Sequence, residues 1–276
     1  VNNLNNMLLK RILTAALLLV GLLGCLFFLP DTLWALVMLL PLAVGALEWG
    51  KLSGLSKPAR VTYALGNVVL AGVTYYFDLA AWLYVAALVL WLIIVPMWLA
   101  AAWQLKSLWW RMPVGILVLL PLWMALVELR ERGPWWVLLL MGVVWIADTA
   151  AYFAGRQFGK HKLAPSISPG KTWEGVIGAA VAVVVYGVIV LKVLSGPRFD
   201  AYAWALPVMI LGVVMLYLSI LGDLFESWVK RVANVKDSGS ILPGHGGVLD
   251  RIDALTSTLP IAALILLHAE LLQRIL

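Results

Sequence analysis

Charge is scarce in this sequence. Among 276 residues, 20 Lys and Arg and 14 Asp and Glu make up 12% of the chain, against 63% hydrophobic residues and a mean hydropathy of +0.98. Soluble domains carry about 25% charged and about 45–50% apolar residues, so an ordinary water-soluble enzyme is excluded. Cysteine is almost absent. Its one occurrence, Cys25, lies inside an apolar run, which excludes a disulfide framework or a cysteine metal site within one chain. The hydrophobic runs also lack apolar–polar alternation. Because lipid tolerates only helices or closed barrels, these runs read as helices rather than strands. Too little polar sequence remains for a separate soluble domain, so residues 1–276 read as a single membrane-embedded domain.

A crossing helix needs about 20 apolar residues. Apolar segments fall at 12–28, 32–47, 61–77, 80–100, 112–129, 135–154, 174–193, 202–221 and 252–273, which predicts an all-α, polytopic membrane protein of about nine transmembrane helices. Between the first two segments, Pro30-Asp31 marks either a tight turn or the kink of a re-entrant hairpin. The six residues before Met7, Val-Asn-Asn-Leu-Asn-Asn, are expected to be an appended leader and are set aside from fold reasoning. Sorting the bases into alternate loops puts fifteen of the twenty on the side of Lys10 and Arg11. Only Arg130, Arg132, Lys192, Arg198 and Arg274 fall on the other. By the positive-inside rule the N-terminus is cytoplasmic and the C-terminus outside. The net charge of +6 therefore speaks first for loops facing anionic lipid and second for an anionic ligand, not for nucleic acid. Trp103, Trp109, Trp110, Trp135 and Trp136 sit at span ends as interface anchors. Glu48, Glu128, Lys192 and Glu270, also near span ends, can snorkel and receive no role.

Two cytoplasmic loops, 155–173 and 222–251, concentrate Gly, Pro, Ser, Lys and acids, and chemistry is expected there. On a helical wheel, residues 222–237 place Asp223, Glu226, Ser227, Lys230, Arg231, Asn234 and Asp237 in one sector, opposite Leu224, Phe225, Trp228, Val229, Val232 and Val235. This predicts a cytoplasmic amphipathic helix extending the eighth span. A solvated face with pairs such as Glu226 to Lys230 would look the same, but Asp223 lies near the end of an apolar span, where a carboxylate needs a polar cavity and a partner. The following glycine-rich stretch could turn N–H groups toward phosphate oxygens. Asp250 and Asp253, three apart, share a face of the last helix; either could cap it, or with Asp223 they could supply the hard oxygens that Mg²⁺ prefers. His245 is an acid or phosphate donor, or merely a residue bonding backbone.

Loop 155–173 and the residues after it hold Gly170-Lys171-Thr172, the end of a Walker A pattern, but Pro165 stands where its first glycine would be, and a P-loop NTPase is rejected. Its bases and hydroxyls form either a polyphosphate cradle or an ordinary positive-inside loop. Asp148, inside the sixth span, again needs a partner. Together these residues describe a cytoplasm-facing cavity with acids for a metal and bases for phosphate, suited to phosphoryl or nucleotidyl transfer on a lipid. No zinc spacing or Ser-His-Asp order supports hydrolysis.

The pattern Ser227-x-x-Lys230-Arg231-x4-Lys236-Asp237-x-Gly239-x2-Leu242-Pro243-x-His245-Gly246-Gly247-x-x-Asp250-Arg251-x-Asp253 resembles the signature of the phosphatidate cytidylyltransferase (CDP-diacylglycerol synthase) family over 27 positions, with every fixed residue present. Asp148-x-x-Ala151-Tyr152 and Ser168-Pro169-x-Lys171-Thr172-x-Glu174-Gly175 are similar to the family as well. The resemblance implies that CTP and phosphatidic acid give CDP-diacylglycerol and pyrophosphate in the bacterial inner membrane, or its equivalent, with Mg²⁺ or Mn²⁺. It leaves room for a second, monovalent cation and for a homodimer. It implies Asp223 and Asp250 as metal ligands, Lys230 and Arg231 on phosphates, and Ser227 as a nearby donor or ligand. Ser168, Lys171, Thr172, Lys236, His245, Gly246, Gly247 and Arg251 are expected on substrate. Asp148, Glu226, Asp237 and Asp253 are second choices for the metal or for orienting the bases. A CTP-dependent polyprenol or lipid kinase would share most of these features. An anion or lipid transporter would spread its charges at mid-depth between repeats.

Overall fold

The computed structural model describes residues 2–104, 107–195 and 201–268, with side chains from Ile12 onward except at 201 and 202. Lys106, Arg198, Glu270 and Arg274, and the side chains of Lys10 and Arg11, lie outside the described residues. The helices are α1 (Asn2–Phe28), α2 (Asp31–Leu52), α3 (Lys57–Tyr76), α4 (Ala80–Ala100), α5 (Leu108–Arg132), α6 (Pro134–Phe158), α7 (Trp173–Leu194), α8 (Ala201–Val232) and α9 (Leu249–Leu267). Six of them, α2 and α4 to α8, are long and apolar enough to cross a bilayer, so the protein is an all-α membrane protein. Of the other three, α1 has described side chains only over Ile12–Phe28, a wholly uncharged stretch. α3 carries Lys57, Arg60 and Asn67, and α9 carries Asp250, Arg251 and Asp253 ahead of Thr256, Ser257 and Thr258.

Local chemistry explains the interruptions. In α4 the residues Leu90–Ile94 form a π-turn, just before Pro96, whose missing N–H and bulky ring disrupt the helical ladder at the carbonyl four residues back. Leu29-Pro30 separates α1 from α2. Arg130 of α5 locks it, donating to the carbonyls of Leu26 at 2.6 Å and Leu29 at 3.0 Å and to Asp31 Oδ1 at 2.8 Å.

The core of the bundle is α9. Every residue from Ala254 to Leu264 is buried, against neighbours that include α2, α4, α5, α6 and α8. Small side chains let these backbones approach closely. Ser257 Oγ donates to the Leu218 carbonyl of α8 at 2.8 Å, and a Cβ at Gly222 would stand 2.5 Å from Ser257 Oγ and 2.6 Å from the Asp253 carbonyl. That contact draws Asp223 on α8 alongside Asp253 on α9. α7 lies outside this core and exposes Ile177, Val181, Val185, Val188 and Ile189, a face suited to lipid.

The site-bearing segments differ from expectation in two ways. Loop 155–173 is not irregular: α6 continues to Phe158, and Lys162–Ala164 (β1) pairs antiparallel with Ser168–Thr172 (β2). The helix read over 222–237 ends at Val232. Asn234, with φ +55°, stops it: its N–H bonds the Arg231 carbonyl and that of Val235 bonds the Lys230 carbonyl, both at 3.0 Å, the Schellman pattern with Asn in place of Gly. Asn234 and Asp237 therefore leave the helical face, and the connection to α9 shrinks to residues 233–248.

Candidate active site

Six segments converge at one end of the bundle: the C-terminal halves of α6 and α8, the β1–β2 hairpin, the first turn of α7, the 233–248 connection and the first turns of α9. They enclose an open cavity of about 670 Å³. Among the expected site residues, Asp148, Ser168, Lys171, Thr172, Asp223, Ser227, Lys230, Arg231, Lys236, Asp237, Asp250, Arg251 and Asp253 all line it. Residues separated by more than 100 positions are thus brought to one wall.

Two of the cavity's lysines, Lys171 and Lys230, are paired with carboxylates. Lys171, on β2, places Nζ 2.6 Å from Asp223 Oδ2, and Ser227, one helical turn beyond Asp223, donates to its Oδ1 at 3.3 Å. Lys230 Nζ sits between two carboxylates, 2.5 Å from Glu226 Oε2 and 2.6 Å from Asp250 Oδ1. Asp250 Oδ2 accepts from the N–H of Gly247 at 2.8 Å and from both the N–H and the hydroxyl of Ser238 at 2.9 Å. Asp250 lies in the loop-side turn ahead of the apolar part of α9. Burial opposes its charge, but the Lys230 ammonium and these N–H groups hold its carboxyl below the usual carboxylate range. Asp148 receives a hydrogen bond from Ser219 and lies close enough to Asp223 to feel its charge, as does Asp253.

Several expected contributors stand elsewhere. Glu226 does not line the cavity; it is buried at 6% exposure, and apart from the Lys230 ammonium no donor meets it with hydrogen-bond geometry. It balances Lys230 rather than offering a metal ligand. His245 is also outside the cavity, in a turn closed by the Leu242–Gly246 bridge, with Nδ1 3.5 Å from the Pro243 carbonyl. Gly246 and Gly247 are not a phosphate cradle in this arrangement: the Gly247 N–H is spent on Asp250, and Gly246, at φ +82°, packs on the same carboxylate. Thr172, although it lines the cavity, is largely buried and caps α7, accepting the Gly175 N–H at 3.2 Å. Of the bases in loop 155–173, Arg156 and Lys171 reach the cavity, whereas Lys160 and Lys162 do not. His161 Nδ1 meets Glu174 Oε1 at 2.7 Å and latches the hairpin to α7.

Sequence reasoning missed two contributors. Ser238 is fully buried against Asp250. Glu48, expected to snorkel, is 4% exposed and accepts hydrogen bonds from the start of α9. No local pattern reveals either, since the partners of Glu48 lie 190 to 201 residues away.

For a divalent cation the donor set is hard oxygen, as Mg²⁺ requires, but it forms no all-protein cage. Among the described residues no three His, Cys, Asp or Glu side chains converge to hold a metal. That suits an ion held by one or two carboxylates and completed by water and substrate phosphates. The site fits a metal on those terms.

Fold and site together define a polytopic helical membrane protein with an open cavity lined by both bases and acids. A model of the cytidylyltransferase family matches residues 9–269, and the chain belongs to that family. It is 38% identical over 268 residues to the phosphatidate cytidylyltransferase of Pseudomonas aeruginosa, covering 94% of this chain and 97% of that protein. It is 34% identical to the one from Haemophilus influenzae, covering 92% and 96%. A 121-residue stretch is 50% identical to the enzyme of Brucella suis, covering 44% of this chain and 43% of that protein.

Proposed function

We infer that the protein is a phosphatidate cytidylyltransferase, joining CTP and phosphatidic acid into CDP-diacylglycerol with release of pyrophosphate. The observation that carries this reading is the cavity itself, where Lys171, Lys230, Arg231 and Arg251 gather around Asp223 and Asp250, in a chain that aligns with named relatives over nearly its whole length. In our reading nine helices cross the membrane, α1, α3 and α9 included. Six crossings before the C-terminal end of α6 put the N-terminus and the cavity on the same side, and the excess of bases there makes that side cytoplasmic by the positive-inside rule; the ninth crossing puts the C-terminus outside.

A phosphatidate oxygen attacks the α-phosphorus of CTP in line, and pyrophosphate departs opposite. The nucleophile is already an anion at neutral pH, so no strong general base is needed. Catalysis comes from positioning and from neutralising charge. Lys230 and Arg231 hold phosphates and Ser227 donates beside them. Lys171, Arg251 and Lys236 bind triphosphate or phosphatidate along the rim, with Ser168 near. Asp223 would hold Mg²⁺ or Mn²⁺, joined by Asp250 through Oδ1, the oxygen that meets Lys230 alone, with Asp148, Asp237 and Asp253 in reserve on the same cavity. When bound, the ion supplies neutralisation of phosphate charge and order among phosphate oxygens.

The test is purified protein with phosphatidic acid and CTP labelled at the α-phosphate. Label in the lipid fraction with release of pyrophosphate is the expected result. Label left in CDP would identify a CTP-dependent lipid kinase instead, and no chemistry in detergent would return the transporter reading.

A further inference from the structure

Glu48 stands outside every recognised motif, yet it touches the machinery from α2. Among the described residues no Lys or Arg forms an ion pair with it. Its oxygens are met by donors from the far end of the chain: Oε1 accepts the Val248 N–H at 3.1 Å, and Oε2 accepts the Leu249 N–H at 2.8 Å and the Ser238 hydroxyl at 3.2 Å. Those N–H groups open α9, whose own N-cap residue, Val248, supplies no side-chain acceptor. A carboxylate at a helix start satisfies orphan donors and suits the positive end of the helix. Here it is delivered across about 200 residues of sequence.

The same hydroxyl of Ser238 is 2.9 Å from Asp250 Oδ2, so one proton is shared between Glu48 and Asp250. Gly239 and Gly247 pass so near that a Cβ on either would overlap the Glu48 carboxylate. Both glycines belong to the motif, and both are explained by room for Glu48 rather than by room for phosphate.

We propose that Glu48 is a positioning residue: from α2 it clamps the glycine-rich connection and the first turn of α9, and so sets the orientation in which Asp250 meets Lys230. The proposal rests on the function inferred above, but the clamp is a backbone geometry that can be read without turnover.

The experiment compares full-length wild type, Glu48→Gln, Glu48→Asp, Ser238→Ala and the double variant Glu48→Gln/Ser238→Ala. Gln keeps the shape but turns one acceptor into a donor facing a donor. Hydrogen exchange in residues 238–250 should quicken in Glu48→Gln while the spans stay protected. Its kcat should fall about 10- to 100-fold, the range for groups that orient a ligand from behind, with KM for CTP changed less than about threefold. Glu48→Asp keeps two acceptor oxygens and should recover part of the lost kcat. Ser238→Ala should lower kcat alone, and the double variant should lose less than the product of the two single losses because both act on one network. Unchanged exchange in 238–250, unchanged kcat in Ser238→Ala, or independent losses in the double variant would each overturn the clamp. If wild type moves no label from CTP to phosphatidate, the functional reading fails while the exchange comparison still decides the clamp.

Discussion

Lys230→Met removes the one cation between two carboxylates, and the structure says where the cost falls. The side chains of Lys230, Glu226 and Asp250 are 13%, 7% and 7% exposed, so solvent screens little. Breaking a buried pair by deleting one partner costs about 3–5 kcal/mol, mostly from the charge left behind. The two survivors are not equivalent. Asp250 keeps the donors of Gly247 and Ser238, whereas Glu226 loses the Lys230 ammonium and keeps no hydrogen-bond donor. The loss should therefore concentrate at Glu226, and neutralising that acid should recover most of it. In thermal unfolding of the detergent-solubilised protein, Lys230→Met should melt roughly 6–20 °C below wild type, and Glu226→Gln/Lys230→Met should regain more than half of the difference. Activity should not follow stability. Both variants should lose at least about 100-fold in kcat/KM, because the proposed function also puts Lys230 on phosphate. A melting shift below about 2 °C for Lys230→Met would show that the trio contributes no more than a surface pair. A double variant no more stable than the single would show that the penalty does not sit at Glu226.

Asp223→Asn should fold with a melting temperature near wild type, since its pair with Lys171 is part-exposed and such pairs contribute about 0–1 kcal/mol, yet labelled-CTP turnover should disappear. In the absence of divalent metal the same variant should bind CTP at least as tightly as wild type by equilibrium dialysis, because Lys171 is released for phosphate; weaker binding would contradict the pairing argument. Gly222→Ala forces a Cβ to within 2.5 Å of Ser257 Oγ and 2.6 Å of the Asp253 carbonyl, so it should destabilise by about 1–3 kcal/mol, the usual cost of overpacking, and depress activity by parting Asp223 from Asp253. Lys160→Ala/Lys162→Ala should leave KM for CTP within about twofold, whereas Lys171→Ala should raise it by about tenfold, the cost of a lost charged contact to phosphate; initial rates against CTP separate the two.

Much of the site was legible because its residues sit at fixed short spacings. Asp223, Ser227 and Lys230 follow one another by helical turns, and Asp250 and Asp253 share a face, so one-dimensional pattern already implied proximity. What failed were features decided by partners remote in sequence. Glu48 at a span end has the pattern of a snorkelling acid, and only the packing of α2 against the start of α9 turns it inward. Thr172, expected on substrate from the family resemblance, does line the cavity, but its hydroxyl also accepts the Gly175 N–H at the start of α7, a local role the resemblance did not show. The end of α8 is a different failure: the uninterrupted wheel over 222–237 counts Asn234 as a helical residue, whereas at φ +55° it ends the helix. The hairpin was missed for a third reason. Its strands, of three and five residues, are too short for periodicity to show.

Scarcity of charge acquires a physical meaning from the pairing. Lys171 is satisfied by Asp223, and Lys230 by Glu226 and Asp250, so charges set part-way into a membrane bundle avoid the cost of standing alone. Phosphate arriving at Lys171 or Lys230 displaces a carboxylate from an ammonium group, whereas Arg231, Lys236 and Arg251 line the same cavity with no such ion pair among the described residues. In the function proposed above, a divalent cation would take up the displaced carboxylates and so couple metal and nucleotide binding through Lys171 and Asp223. Glu226 is the exception: outside the cavity and buried, it is not exchanged, and it keeps Lys230 charged and in place while Asp250 changes partners. On this reading the acids divide into those that let go of their bases when substrate enters and one that does not.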